Sequence, residues 1–154
     1  MAGEPYQNRP LSSVTNSRIV FSACGIGNSV TSPVLGSSRP ITSIHSEEYQ
    51  TVDFANGGDI RGMIAANEAF LKLINDDTKV VIGHGPLAKK SDVQEFHDML
   101  VTARARVEKL FNEGKSEAEV VAMRPLADLD AKWAVNDSNA VAFTRMVYNS
   151  FKRS

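Results

Sequence analysis

One histidine lies on a loop flanked by glycines, and its setting is the one in this chain best suited to metal chemistry. The loop reads Gly83-His84-Gly85-Pro86 and follows a short β-branched run, Val80-Val81-Ile82. Glycines on both sides leave room for a metal or substrate, and the proline ends the strand, so the imidazole lies at its carboxyl edge. We interpret His84 as a metal ligand; the alternative is a loop histidine in solvent.

The other residues capable of chemistry are few, since the chain contains three histidines and one cysteine. His97 is expected on a helix, partly buried beside its apolar stripe. His45 precedes two glutamates in a serine-rich stretch and forms either a solvated loop or a small metal-binding cluster. Cys24 follows an apolar run and is expected to be a buried strand residue rather than a nucleophile. A catalytic zinc needs about three protein ligands and an open position for water, so these residues leave the site incomplete.

Length and charge exclude several classes of protein. The chain has 154 residues, a net charge of −1 and 42% hydrophobic residues, as expected for one globular domain with a modest core. Because basic and acidic residues are interleaved, we expect no nucleic-acid or membrane partner. No apolar run reaches the roughly 18 residues of a membrane span. The amino-terminal residues lack the pattern of a secretory signal, so the default expectation is a cytoplasmic protein.

The chain divides into two regions of different character. Residues 1–46 are rich in Ser, Thr, Gly and Pro and show no regular period, which predicts an irregular, poorly ordered segment with one strand within 18–24. Residues 47–154 carry the regular patterns and form the predicted domain. Their apolar spacing and capping residues predict helices over about 60–74, 91–112, 117–123 and 139–151, with a strand at 78–82. Trp133 is expected to anchor the helical tail. The order helix, strand, loop and helices indicates an α/β unit.

Three sequence blocks in order, together with the intervening helix, resemble one enzyme family. They are Asp53-x-x-x-Gly57-Gly58-Asp59, the segment from Asp77 through the His84 loop to Leu87, and Asp98-Met99-Leu100. Over roughly residues 49–151 the chain resembles the carboxyl-terminal portion of bacterial metallo-β-lactamase-fold metallohydrolases.

The resemblance implies a fold and a zinc site. The fold would be the carboxyl-terminal portion of an αββα metallo-β-lactamase fold, with a few strands packed against about four helices. His84 would correspond to the last histidine ligand of a dinuclear zinc site. Asp53 would correspond to a loop residue bordering the cleft; the alternative is that it caps the turn into Gly57-Gly58. Intact relatives use zinc-activated water to hydrolyse small esters, thioesters, lactones or β-lactams.

The departures from the family pattern limit the expected activity. The family's early His-x-His-x-Asp-His motif is absent upstream of Tyr49, where His45 is the only histidine. The resemblance therefore implies a truncated or divergent metallohydrolase that is weakly active or inactive on a small-molecule substrate, with doubtful zinc occupancy. The alternative is a non-catalytic module that binds a partner or forms a homo-oligomer through an exposed strand edge or helix face.

Overall fold

The computed structural model describes residues 48–50, 52, 58–80 and 87–152, and the backbone alone of residues 19–21 and 81. This part of the chain forms two short strands and five helices. They are β1 (Ile19–Phe21), α1 (Ile60–Leu71), β2 (Lys79–Val81), α2 (Lys90–Asn112), α3 (Glu117–Met123), α4 (Ala127–Trp133) and α5 (Asp137–Phe151). The two predicted strands and four predicted helices are confirmed, and α4 is an additional helix. The division at residue 46 stays a prediction, because residues 1–46 apart from the β1 backbone lie outside the described residues.

Side-chain caps set where several helices begin. The Asp59 carboxylate accepts a hydrogen bond from the Gly62 N–H at 2.6 Å at the start of α1. At α3 the predicted capping box is present: the Ser116 N–H donates to Glu119 at 2.8 Å, and the Glu119 N–H donates to the Ser116 hydroxyl at 3.3 Å. Asn136 caps α5 in the same manner. Each cap satisfies a first-turn N–H that has no partner within the helix.

Three predicted helix boundaries differ from the structure, among them the start of α5, which is Asp137 rather than about residue 139. The capping box expected at Ser91 is displaced, because the Asp92 carboxylate accepts from the Lys89 N–H at 2.7 Å and α2 begins at Lys90. The first helix ends at Leu71 rather than near residue 74, since the chain turns there and the Leu73 N–H donates to the Phe70 carbonyl at 2.9 Å. Local hydrogen bonds therefore decided boundaries that apolar spacing alone placed imprecisely.

The main core lies between α1, α2 and α5, whose apolar sides face one another. Helices α3 and α4 close it with Val120 and Trp133, and the burial of Trp133 agrees with its expected role as an anchor of the helical tail. The largest fully buried apolar side chains that α1, α2 and α5 contribute to this core are Ile60, Phe96, Leu100, Val107, Phe143 and Val147. Burial of a side chain of this size stabilises the fold by roughly 1.5–3 kcal/mol before the conformational entropy is subtracted.

A second, smaller cluster joins the end of α1 to β2 and the start of α2. Its buried members are Phe70, Ile74, Val80, Ala88 and Val93. Val80 and Ala88 exchange two backbone hydrogen bonds of 2.8 and 2.9 Å, and β2 pairs in parallel with β1. Because the carboxyl end of α1 packs beside the amino end of α2, these two helices run antiparallel.

The α/β fold class predicted from the sequence, a few metallo-β-lactamase strands packed with about four helices, is wrong for this structure. The described residues are mostly helical, and their strands are two three-residue segments. So small a strand pair cannot cover the apolar sides of helices as long as α2, which has 23 residues. The helices therefore bury these sides against one another.

Helix α2 is amphipathic rather than uniformly apolar. It places seven residues in the core and turns polar residues such as Gln94, Glu95 and Asp98 to solvent. Within the described ranges, no helix combines the length and apolar character needed to cross a membrane.

Candidate functional site

The predicted metal ligand cannot be placed. His84 and its neighbours Gly83, Gly85 and Pro86 lie outside the described residues, as do His45, Cys24 and Asp53. The assignment of His84 as a zinc ligand therefore stays a prediction, as does the expectation of a dinuclear zinc cofactor.

The described residues do not fit a zinc centre. Among them, no group of three or more His, Cys, Asp or Glu side chains could hold a metal ion. His97 lies near Glu68 and Asp98, but a different ring nitrogen faces each carboxylate, so the three side chains do not surround a common point.

His97 lies where α1 and α2 meet. Its side chain is 15% exposed, which confirms the predicted partly buried helix position. Nδ1 lies 3.1 Å from the Asp98 carboxylate, and Gln94 donates to the same oxygen at 2.9 Å. Nε2 is buried without a hydrogen-bond partner, 3.7 Å from Glu68 across the helix pair. This distance is longer than that of a hydrogen bond. His97 therefore acts mainly by packing between the two helices.

Tyr49 attaches the segment before α1 to the helical body. The residue is 3% exposed, and its ring stacks on Phe143 with centroids 4.0 Å apart. The phenol donates to Asp130 at 3.0 Å, and the Tyr49 N–H donates to the Trp133 carbonyl at 2.8 Å. Burial and the hydrogen bond to Asp130 raise the pKa of Tyr49 well above its usual value. The phenol is therefore a fixed hydrogen-bond donor rather than an acid or base at neutral pH.

Charged residues near α4 form structural links. Both guanidinium ends of Arg106 on α2 contact the Asp128 carboxylate, and Arg106 also donates to the Pro125 carbonyl at 3.1 Å. The hydrogen bond from Arg106 lowers the pKa of Asp128. Arg124 contacts Asp137 in the same region. The Arg106–Asp128 pair therefore links α2 to the start of α4, and the Arg124–Asp137 pair links the end of α3 to the start of α5.

The outward side of α1 differs from that of an ordinary surface helix, because its centre carries no charge. Gly62 and Ala65 are exposed, Ala69 is half-buried, and Leu73 just beyond the helix is 37% exposed. They recur every three or four residues and therefore share one side of the helix. We call these four residues the α1 surface. Gly62 also serves the helix cap, since a Cβ there would lie 3.3 Å from the Asp59 carboxylate.

Charged residues lie beside the small residues of the α1 surface and at its carboxyl end. Arg61 and Glu68 are seven residues, or two helical turns, apart and lie along the same edge. Their side chains are 39% and 53% exposed. Lys72, the exposed residue that follows α1, is seven residues after Ala65 and lies on the same side, so the α1 surface is uncharged only within the helix itself. A solvated helix face normally carries charge across its centre, so this arrangement resembles the rim and centre of a small contact surface.

The α1 surface was not predicted, although a signal for it is present in the sequence. Gly62, Ala65 and Ala69 stand at helical spacing opposite the predicted buried stripe. Spacing alone does not show whether another element covers that side. The structure shows that α2 and α5 pack on the opposite side of α1, and these small residues are exposed or half-buried.

Comparison of the chain with protein-family models, with curated proteins and with solved structures found no match.

Proposed function

We propose that this chain is a non-catalytic protein that associates through the α1 surface. The observation that carries the proposal is the uncharged, exposed centre of α1 formed by Gly62, Ala65 and Ala69, with Leu73 at its end. Small side chains let a second helix approach to the short end of the 8–10 Å range of interaxial distances. The leucine adds an apolar side chain that association would remove from water.

The size of the surface indicates a weak complex. Helix α1 has 12 residues and is therefore about 18 Å long. One pair of such helices buries less than the roughly 1,200 Å² of total area at the lower end of stable protein interfaces. Dissociation constants in the micromolar range or weaker are therefore expected, and association should depend on protein concentration.

Sedimentation velocity across a concentration series tests the proposal, from about 10 μM to about 1 mM to span weak dissociation constants. The sedimentation coefficient of the wild type should rise with concentration. Ala65→Arg should abolish this rise, because association would then bury an unpaired charge. Ala142→Arg is the matched control, since Ala142 is an exposed alanine on α5. A wild type that stays monomeric throughout, or an equal effect of the two variants, would contradict the proposal.

The relation to metallohydrolases is a separate proposal that rests on the His84 loop and the sequence blocks around it. It implies hydrolysis of a small-molecule substrate by a zinc-activated water. The described residues lend it no support, since they hold no set of metal ligands. Zinc binding that depends on His84 would favour it over a purely non-catalytic role.

A further inference from the structure

We infer that His97 is a pH-sensitive link between α1 and α2. Protonation of its imidazole adds an ion pair with Glu68 and thereby stabilises the packing of α1 on α2. Two carboxylates face the ring: Asp98 follows His97 on α2, and Glu68 lies on α1. The link does not depend on association through the α1 surface, because all of its groups belong to one chain.

Neither neutral form of His97 satisfies both carboxylates. Nδ1 lies 3.1 Å from the Asp98 carboxylate, and Nε2 lies 3.7 Å from the Glu68 carboxylate. A neutral imidazole carries one N–H, so its other nitrogen presents a lone pair. With the proton on Nδ1, the Nε2 lone pair faces Glu68; with the proton on Nε2, the Nδ1 lone pair faces Asp98. Only the imidazolium presents an N–H to each carboxylate.

The described residues around His97 do not supply the missing donor. Nε2 is buried without a hydrogen-bond partner among them. The side-chain amide of Gln94 lies 3.5 Å from Nδ1 but already donates to Asp98 at 2.9 Å. Lys72, one turn beyond Glu68, is exposed and forms no ion pair with a described residue. The ring therefore has two negative charges, and no positive one, within ion-pair distance in the described part of the chain.

Burial and charge have opposite effects on the protonated ring. The side chain is 15% exposed, and burial disfavours a charged group. Carboxylates at 3.1 and 3.7 Å favour it. Asp98 also neighbours His97 in the unfolded chain, so Glu68 supplies the part of the attraction that depends on folding. Because the Glu68 side chain is 53% exposed, we expect this ion pair to change the unfolding equilibrium constant by about fivefold.

Urea denaturation at about pH 8 and about pH 5.5 tests the link, because histidine side chains change charge between these values. His97→Gln keeps a polar side chain that cannot acquire a charge. His45 and His84 are present in both proteins, so their protonation cancels in the comparison. The ratio of the unfolding constants, variant over wild type, should be about fivefold larger at the acidic pH. An equal ratio at the two pH values would overturn the proposal.

Glu68→Gln separates the link between the helices from the contact within α2, because Asp98 stays beside His97. This variant should also unfold about fivefold more readily than the wild type at the acidic pH, and about equally at the alkaline pH. Glu113→Gln is the matched control, since Glu113 is an exposed glutamate at the far end of α2. A pH response that survives Glu68→Gln at full size would assign it to Asp98 and overturn the link to α1. Because Glu68 is exposed, this test remains decisive even if His97→Gln does not fold.

A double-mutant cycle of His97→Gln and Glu68→Gln distinguishes an ion pair from simple packing. The coupling between the two positions should be favourable at about pH 5.5 and vanish at about pH 8. Loss of packing alone would give the same coupling at both pH values, and that result would overturn the proposal.

Discussion

Replacing Tyr49 by phenylalanine tests whether the segment before α1 is fixed to the helical body. The ring stacks on Phe143, and the Tyr49 N–H donates to the Trp133 carbonyl; phenylalanine preserves both contacts. Only the hydroxyl group is lost, and with it the 3.0 Å hydrogen bond to Asp130. The substitution therefore isolates one interaction between residues that are 81 positions apart in the chain.

The magnitude follows from the nature of the acceptor. A hydrogen bond to a charged group contributes about 1.5–3 kcal/mol, and the Asp130 side chain is only 15% exposed, so water replaces the phenol poorly. We expect Tyr49→Phe to lower the free energy of unfolding at pH 7 by about 2 kcal/mol. Tyr148→Phe is the control, because that phenol donates to the Lys115 carbonyl at 2.8 Å, a neutral acceptor. Its expected loss is about 1 kcal/mol.

The dependence on pH provides an independent check. Burial and the hydrogen bond to Asp130 raise the pKa of Tyr49 in the folded protein, whereas in the unfolded protein a tyrosine side chain ionises near pH 10. A raised pKa in the folded state contributes stability that is complete below the unfolded pKa and lost as the pH rises. For one proton the loss is at most about 1.4 kcal/mol per pH unit. The stability difference between the wild type and Tyr49→Phe should therefore shrink above about pH 10.

Urea denaturation followed by circular dichroism measures both effects, at pH 7 and in a series from about pH 9 to 11 that brackets the tyrosine pKa. Equal unfolding free energies of the wild type and Tyr49→Phe at pH 7 would refute the attachment of Tyr49 to Asp130. A difference at pH 7 that stays constant above pH 10 would refute the role assigned to the phenol proton.

Three further substitutions test other parts of the structure. Ser116→Ala removes the cap of α3 and should lower the unfolding free energy by about 1 kcal/mol in thermal denaturation; no loss would mean that the capping box contributes nothing. Asp128→Asn should destabilise the protein at pH 7, because the hydrogen bond with Arg106 lowers the pKa of the carboxyl. That contribution is present above the usual aspartate pKa of about 3.9 and lost as the pH falls below it, so a deficit that persists in acid would contradict the assignment. Equilibrium dialysis with zinc should show binding that His84→Ala removes if His84 is a ligand; no zinc on the wild type, or equal zinc on both proteins, would remove the basis for a metallohydrolase.

Helix positions were largely predictable because their signals are local. The Asp59 and Ser116 caps and the apolar spacing that follows each of them lie within a few residues of one another in the sequence. Helix α4 was missed because these local signals are weak there: it has only seven residues, and its N-cap Leu126 makes no side-chain hydrogen bond. So short a helix does not show a clear apolar period, and no capping side chain marks its start.

The candidate site was less predictable. His97 was placed correctly, since its neighbours at helical spacing determine its burial. The importance of Tyr49 was not foreseen, because its contacts with Phe143 and Asp130 join distant parts of the chain. The α1 surface likewise depends on what the rest of the chain leaves uncovered.

By itself, the sequence determined four of the five helices in the described part of the chain, where α1 and α3 begin, and which side of the longer helices is apolar. Hydrogen bonds between residues three or four positions apart and a 3.6-residue period are properties of short segments. The tertiary structure alone decided that these apolar sides meet one another rather than a sheet. An apolar stripe is complementary to any apolar surface, and hydrophobic burial has no directional preference that would specify the partner. The same packing of α1 against α2 and α5 leaves the small residues of the α1 surface facing solvent.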